Sequence, residues 1–99
     1  MKSKELLSNL ELTRRYFSTY SGIRLPIKLS QPLEAAAIAN RNTYFIGYYD
    51  KADVMIGFQK MVYGEIELQH YYVFNIDGKL IQAEITNVEQ EVTVLDFKT

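Results

Sequence analysis

The hexapeptide Glu65-Ile66-Glu67-Leu68-Gln69-His70 places the chain's only histidine near two carboxylates. Imidazole plus carboxylates is a donor set that zinc and other divalent ions accept. On a regular strand the set fails by parity. Side chains alternate, so Glu65 and Glu67 point one way while His70 points the other with Leu68 and Tyr72, and only a bulge between them would unite all three. His70 therefore reads as a hydrogen-bonded core residue and the chain as carrying no metal site. There is no Cys, which excludes thiolate chemistry, disulfides and Cys-based metal sites. G-x-S-x-G, a Gly-rich phosphate loop and H-E-x-x-H are all missing. Glu67 and Glu84 fall on one polar sheet face, where carboxylates are ordinarily solvated, and nothing demands a general acid. The expectation is a protein with no catalytic residue and no cofactor.

The remaining candidate is a surface. Tyr44, Ile46 and Tyr48 share a parity that sets them beside Met55, Gln59, Met61, Gln69, Tyr71 and Val73. Tyr buries much area at little entropic cost and Met adapts to irregular shapes, so Tyr44, Tyr48, Met55, Met61 and Tyr71 form the candidate interaction face for a protein partner or a second copy. The same rings would stack on single-stranded bases, with Arg14, Arg15, Arg24, Arg41 and Lys28 meeting phosphates. Glu67 and Glu84 oppose that reading. If the N-terminal helix covers the face, it is core.

The elements that position these residues centre on Val54 to Ile85, read as two consecutive β-hairpins. In the first, Val54, Ile56, Phe58, Lys60 and Val62 turn at Tyr63-Gly64-Glu65 and return through Ile66, Leu68, His70, Tyr72 and Phe74. A three-residue loop, with Gly64 at positive φ, sets Val62 opposite Ile66, Phe58 opposite His70, Ile56 opposite Tyr72 and Val54 opposite Phe74. The second hairpin turns on Asp77-Gly78, a strong two-residue signal. Phe74 then opposes Ile81, Tyr72 opposes Ala83 and His70 opposes Ile85. Both turns choose the same buried face.

Around this core, Ser3 to Leu12 reads as a short helix with Ser3 as cap, with continuation to about Phe17 as the alternative. From Thr13 the residues favour extended chain up to a turn at Ser21-Gly22. Ile23 to Leu29 alternates as an edge strand, because Pro26 removes a ladder donor; Arg24 and Lys28 face solvent. Ser30 to Asn40, with a capping Ser, an early Pro and a run of Ala, reads as a second short helix packing Leu33 and Ala37 on the sheet. Thr43 to Tyr49 is a strand burying Phe45, Gly47 and Tyr49, and Glu91 to Phe97 is the last strand after a polar break at Asn87 to Gln90.

Ninety-nine residues, 47% hydrophobic and 23% charged, form one ordered domain spanning 1–99. The net charge of −1 divides unevenly: residues 1–49 carry seven Lys/Arg against three Asp/Glu (+4), and residues 50–99 carry four against nine (−5). These halves neutralise each other within one domain or across a dimer, and a pI near 5.8 lacks the footprint of a nucleic-acid binder. The N-terminus has no apolar stretch of signal-peptide or membrane-span length, so a cytoplasmic location is the default expectation and no membrane role is implied.

Residues 48–60 (YYDKADVMIGFQK) align without gaps with residues 73–85 (VFNIDGKLIQAEI) at an offset of 25. Their YYDKADV and FNIDGKL segments resemble the hairpins of YD-repeat proteins, in which Tyr-Asp precedes a Gly-Arg-Leu-type turn. Asp53-Val54 stands where the first Gly belongs, Lys79 replaces Arg, and there are two copies, so the shell architecture of those proteins is not implied. RYFSTYSGIRLPIKL (15–29), NRNTYF (40–45) and VYGEIELQHYY (62–72) resemble a family of small bacterial proteins of unknown function, which implies a free-standing bacterial domain and no activity.

The sequence thus predicts an α+β domain, mainly an antiparallel β-meander of five to seven strands with one or two short helices. Its expected role is protein–protein association, as a homo-oligomer or homodimer. Single-stranded nucleic-acid or small-ligand binding on the Tyr-rich face ranks second, and an enzyme third.

Overall fold

A computed structural model describes residues 11–22 and 24–98. They form one antiparallel sheet of seven strands: β1 (Thr13–Ser21), β2 (Lys28–Leu33), β3 (Thr43–Tyr49), β4 (Met55–Val62), β5 (Glu65–Phe74), β6 (Leu80–Thr86) and β7 (Val92–Asp96). The strand order is β2-β1-β3-β4-β5-β6-β7. From β3 onward the sheet is the expected meander. The β1–β2 hairpin joins through β1, which leaves β2 as one edge and β7 as the other.

The helical content differs from expectation. The helix foreseen over residues 3–12 lies outside the described residues, apart from Glu11 and Leu12, which are not helical. Over residues 30–40 only Ala35–Asn40 coils, as a 3-10 helix with no side-chain cap on Glu34. The capping Ser and early Pro instead belong to β2, where Pro32 pairs with Phe17. An edge strand tolerates Pro because a missing N–H need face nothing, and that option competes with helix initiation. Among the described residues the fold is therefore an antiparallel β-sheet with one 3-10 turn, not α+β.

The expected strand Ile23–Leu29 also resolves differently. Arg24 to Ile27 bend across one face of the sheet, with a cis Leu25–Pro26 peptide, and pairing begins only at Lys28. Leu25, Ile27 and Leu29 pack on the buried cluster of Phe17, Phe45, Phe58, Tyr72 and Ala83. Arg24 and Lys28 stay exposed, as their alternation required. Gly47 admits this cover, since a Cβ there would meet Leu29 Cδ1 at 3.0 Å and Tyr49 Cε1 at 2.9 Å.

The two hairpin loops exchange lengths relative to expectation. Val62 pairs with Glu65, so Tyr63 (φ 50°) and Gly64 (φ 81°) form a two-residue turn with positive φ at both positions. The register shifts between Lys60 and Met61, making Glu67 the extra residue of a bulge. Turn and bulge together restore the predicted Phe58–His70 pair. At the second hairpin Asn75 N–H donates to Lys79 O and Gly78 N–H to Asn75 O, both at 2.9 Å. The loop is Ile76-Asp77-Gly78, with positive φ at Gly78 alone. Tyr72–Ala83 and His70–Ile85 pair as predicted, while a bulge sets Phe74 opposite Leu80 rather than Ile81.

The 25-residue repeat has a physical basis in those loops. Asp50 opens the same turn as Asn75: its N–H donates to Val54 O, its C=O accepts from Asp53 N–H, and its Oδ1 accepts from Ala52 and Val54 N–H. Asn87 opens a third copy ending at Glu91. The fourth residue of each is left-handed: Asp53 (φ 66°), Gly78 (φ 81°) and Gln90 (φ 68°). The bulges repeat too, since Tyr49 pairs with Met55 as Phe74 pairs with Leu80. Each bulge reverses facing. Met55 joins the Phe58 face and Ile56 the Tyr48 face, opposite to the sequence reading, and Val54 lies exposed outside the strand.

Candidate functional site

His70 and Tyr72 stand two residues apart on β5 and so share a face. His70 Nδ1 lies 2.7 Å from the Tyr72 hydroxyl, which also accepts the Ile27 N–H at 3.1 Å. The hydroxyl proton has no other acceptor among the described residues, so it donates to Nδ1 and fixes His70 as the Nε2–H tautomer. Burial lowers the His70 pKa from 6.5 to about 4 and raises that of Tyr72, against the opposing pull of the Ile27 N–H. Both are neutral near pH 7. The relay pins the Arg24–Ile27 crossover to the centre of the sheet; the bond from Ile27 spans 45 residues of chain.

Sequence reasoning placed His70 in the core but missed Tyr72 and Ile27 as its partners. The available signal was the His-x-Tyr spacing, because a buried Tyr hydroxyl ordinarily finds a partner. The bulge named as the condition for uniting Glu67 with His70 does exist. It accompanies a Lys60 Nζ–Glu67 Oε1 pair at 3.0 Å. Among the described residues no three His, Asp or Glu side chains are grouped to hold a metal ion.

Of the expected interaction face, Tyr44, Tyr48, Met61 and Tyr71 do come together, around Ile46 with Leu12, Tyr16 and Ile56. Met55 does not, because the β4 bulge sends it to the opposite face. Tyr48 is only 4% exposed. Its hydroxyl donates to Gln59 Oε1, and Gln59 Nε2 donates to Gln69 Oε1, both at 2.7 Å, which makes a buried polar chain across three strands. The Arg14 guanidinium lies 5.7 Å from the centre of the Tyr48 ring. Burial raises the Tyr48 pKa, with Arg14 opposing. The face is a second core layer more than an open aromatic platform.

Exposed apolar side chains gather instead on β7. Val92 (55%), Val94 (49%), Leu95 and Phe97 are all accessible. Asn87 N–H donates to Glu91 O, and Phe97 N–H donates to Ile81 O. Antiparallel pairing alternates, so the odd-numbered residues from 91 to 97 bond inward to β6 and Val92, Val94 and Asp96 turn their main-chain groups outward. The opposite edge is blunted. Pro32 has no N–H and Gln31 adopts φ 61° within β2. No helix among the described residues is long and apolar enough to cross a membrane.

No curated protein matches the chain, and no solved structure does. Residues 9–99 match the profile of a family of unknown function, DUF6156, and the chain belongs to that family.

Proposed function

We propose that the protein is a non-enzymatic association module and that its partner is a second copy, joined edge to edge along β7. The observation that carries this is the contrast between the edges: β7 exposes Val92, Val94 and Leu95 and contains no Pro, bulge or Lys, whereas β2 carries Pro32 and the left-handed Gln31. With one competent edge, addition stops at a two-fold pair and forms no filament. A two-fold perpendicular to the sheet keeps faces matched, so paired residue numbers must sum to an even value. Only the register setting Val94 against Val94 and Val92 against Asp96 bonds all three outward residues; a shift by two leaves one unpaired. Two five-residue edges form a small interface, so the dimer is concentration-dependent.

The chain has no Cys, so single-Cys variants test the register directly. Val94→Cys is expected to give a disulfide-linked dimer under mild oxidation, and Val92→Cys is not, since its copies lie about 13 Å apart at ~3.3 Å per residue. Light scattering of the unmodified protein up to hundreds of micromolar runs alongside. A monomer throughout, with no Val94→Cys dimer, refutes the reading. A dimer that survives Val94→Lys refutes β7 as the interface.

A further inference from the structure

The crossover that Tyr72 pins does not fill the sheet face beneath it. Between Ile27 of the crossover, the sheet residues Phe45, Phe58 and Leu68, and the ring of Tyr20 lies a cavity of about 240 Å³, with Lys60 and His70 also in its lining. His70 is 6% exposed and its ring stacks on Phe58 at 4.4 Å between centroids. Its Nδ1 is consumed by the Tyr72 hydroxyl. Nε2–H is therefore the one polar hydrogen the imidazole can offer to the cavity it lines, and it has no protein partner among the described residues. Lys60 is already balanced by Glu67.

We infer that this cavity is a binding site for a small, uncharged, single-ring aromatic molecule carrying one acceptor oxygen. Each part of that description has its own cause. The two phenyl walls and the aliphatic Ile27 and Leu68 favour a flat apolar body, for which the volume allows one ring with a short substituent. Of the polar groups, the buried imidazole N–H and the Lys60 ammonium can only donate, while Tyr20, 53% exposed, can turn its hydroxyl to water, so the ligand's polar atom accepts. The Lys60–Glu67 pair leaves the rim without net charge, so a carboxylate would gain one attraction and meet one repulsion. The site lies on the opposite face from the Tyr44–Tyr71 cluster and does not depend on association through β7.

The test is a titration of the full chain, followed by methyl and histidine side-chain nuclear magnetic resonance. The probes are acetophenone, ethylbenzene, which has its shape without the acceptor, and benzoate. Acetophenone is expected to shift the Leu68 and Ile27 methyl signals saturably and to move the His70 Nε2 resonance. It should bind about tenfold tighter than ethylbenzene, the factor one hydrogen bond to a buried donor supplies, and tighter than benzoate. Leu68→Phe should abolish the shifts by filling the cavity. Absence of saturable shifts at the solubility limit of acetophenone overturns the proposal. So does equal affinity for ethylbenzene, or tighter binding of benzoate. The probe series uses the unmodified chain, so it decides the matter even if Leu68→Phe fails to fold.

Discussion

His70 is the residue whose environment makes the sharpest measurable statement. Its pKa falls from 6.5 to about 4 on folding because burial disfavours the cation. Between those values the unfolded chain holds the proton and the folded chain does not, so stability falls as pH drops from 6.5 and levels off below 4. A shift of that size corresponds to about 3 kcal/mol at most. Urea unfolding at pH 7 and pH 4 should therefore cost the natural chain about that much more than it costs His70→Gln, with the carboxylate contributions cancelling in the difference. Equal losses would mean that His70 titrates normally and is not in the relay. Removing the relay's middle member, Tyr72→Phe, leaves Ile27 N–H and His70 Nδ1 unpaired and should cost roughly 1–3 kcal/mol. Its effect on the crossover is read from hydrogen exchange at Ile27.

At the scale of elements, three turns of one design carry different residues at the left-handed position. Gly78 is suited to it, while Asp53 and Gln90 bear a Cβ there. Asp53 holds its place with an ion pair to Arg15. A Cβ on Gly78 would meet nothing within 4 Å, so Gly78→Ala tests conformation alone and should destabilise by roughly 1 kcal/mol. Gln90→Gly should do the opposite, raising stability by about 0.5 kcal/mol after the entropic cost of glycine. Thermal unfolding of both variants checks the pair of signs. These turns also explain which strand contacts were legible. Phe58–His70, Tyr72–Ala83 and His70–Ile85 lie far enough from the loops that bulges had already compensated for the loop lengths. Phe74–Ile81 and the facing of Met55 and Ile56 lie within the bulged stretch, where a one-residue slip exchanges the faces.

For the molecule as a whole, an edge-to-edge dimer links stability to concentration. If β7 pairs with its copy, the folded state is favoured by mass action, and the melting temperature should rise with protein concentration over the range in which light scattering shows association. Val94→Lys should remove that rise, since it places like charges across the two-fold. A melting temperature that stays constant while dimer is present would place the association in the unfolded or aggregated chain.

The sequence by itself determined the strand segments from β3 to β7, the buried parity at the centres of the hairpins, the core position of His70 and the turn-bearing repeat, because alternation and turn chemistry are local properties of the chain. Only the tertiary structure decided the rest. Pro32 and the residues around it had a local choice between helix and edge strand, and the strand was selected by pairing with β1. Arg24 to Ile27 left strand pairing for a crossover because Tyr72, 45 residues from Ile27, supplies a hydrogen-bond partner and the Phe45–Phe58 face supplies apolar contact. The cavity beside His70 and the unequal edges β2 and β7 arise the same way. They depend on which distant surfaces meet and which are left without a neighbour, and no period in the chain encodes that.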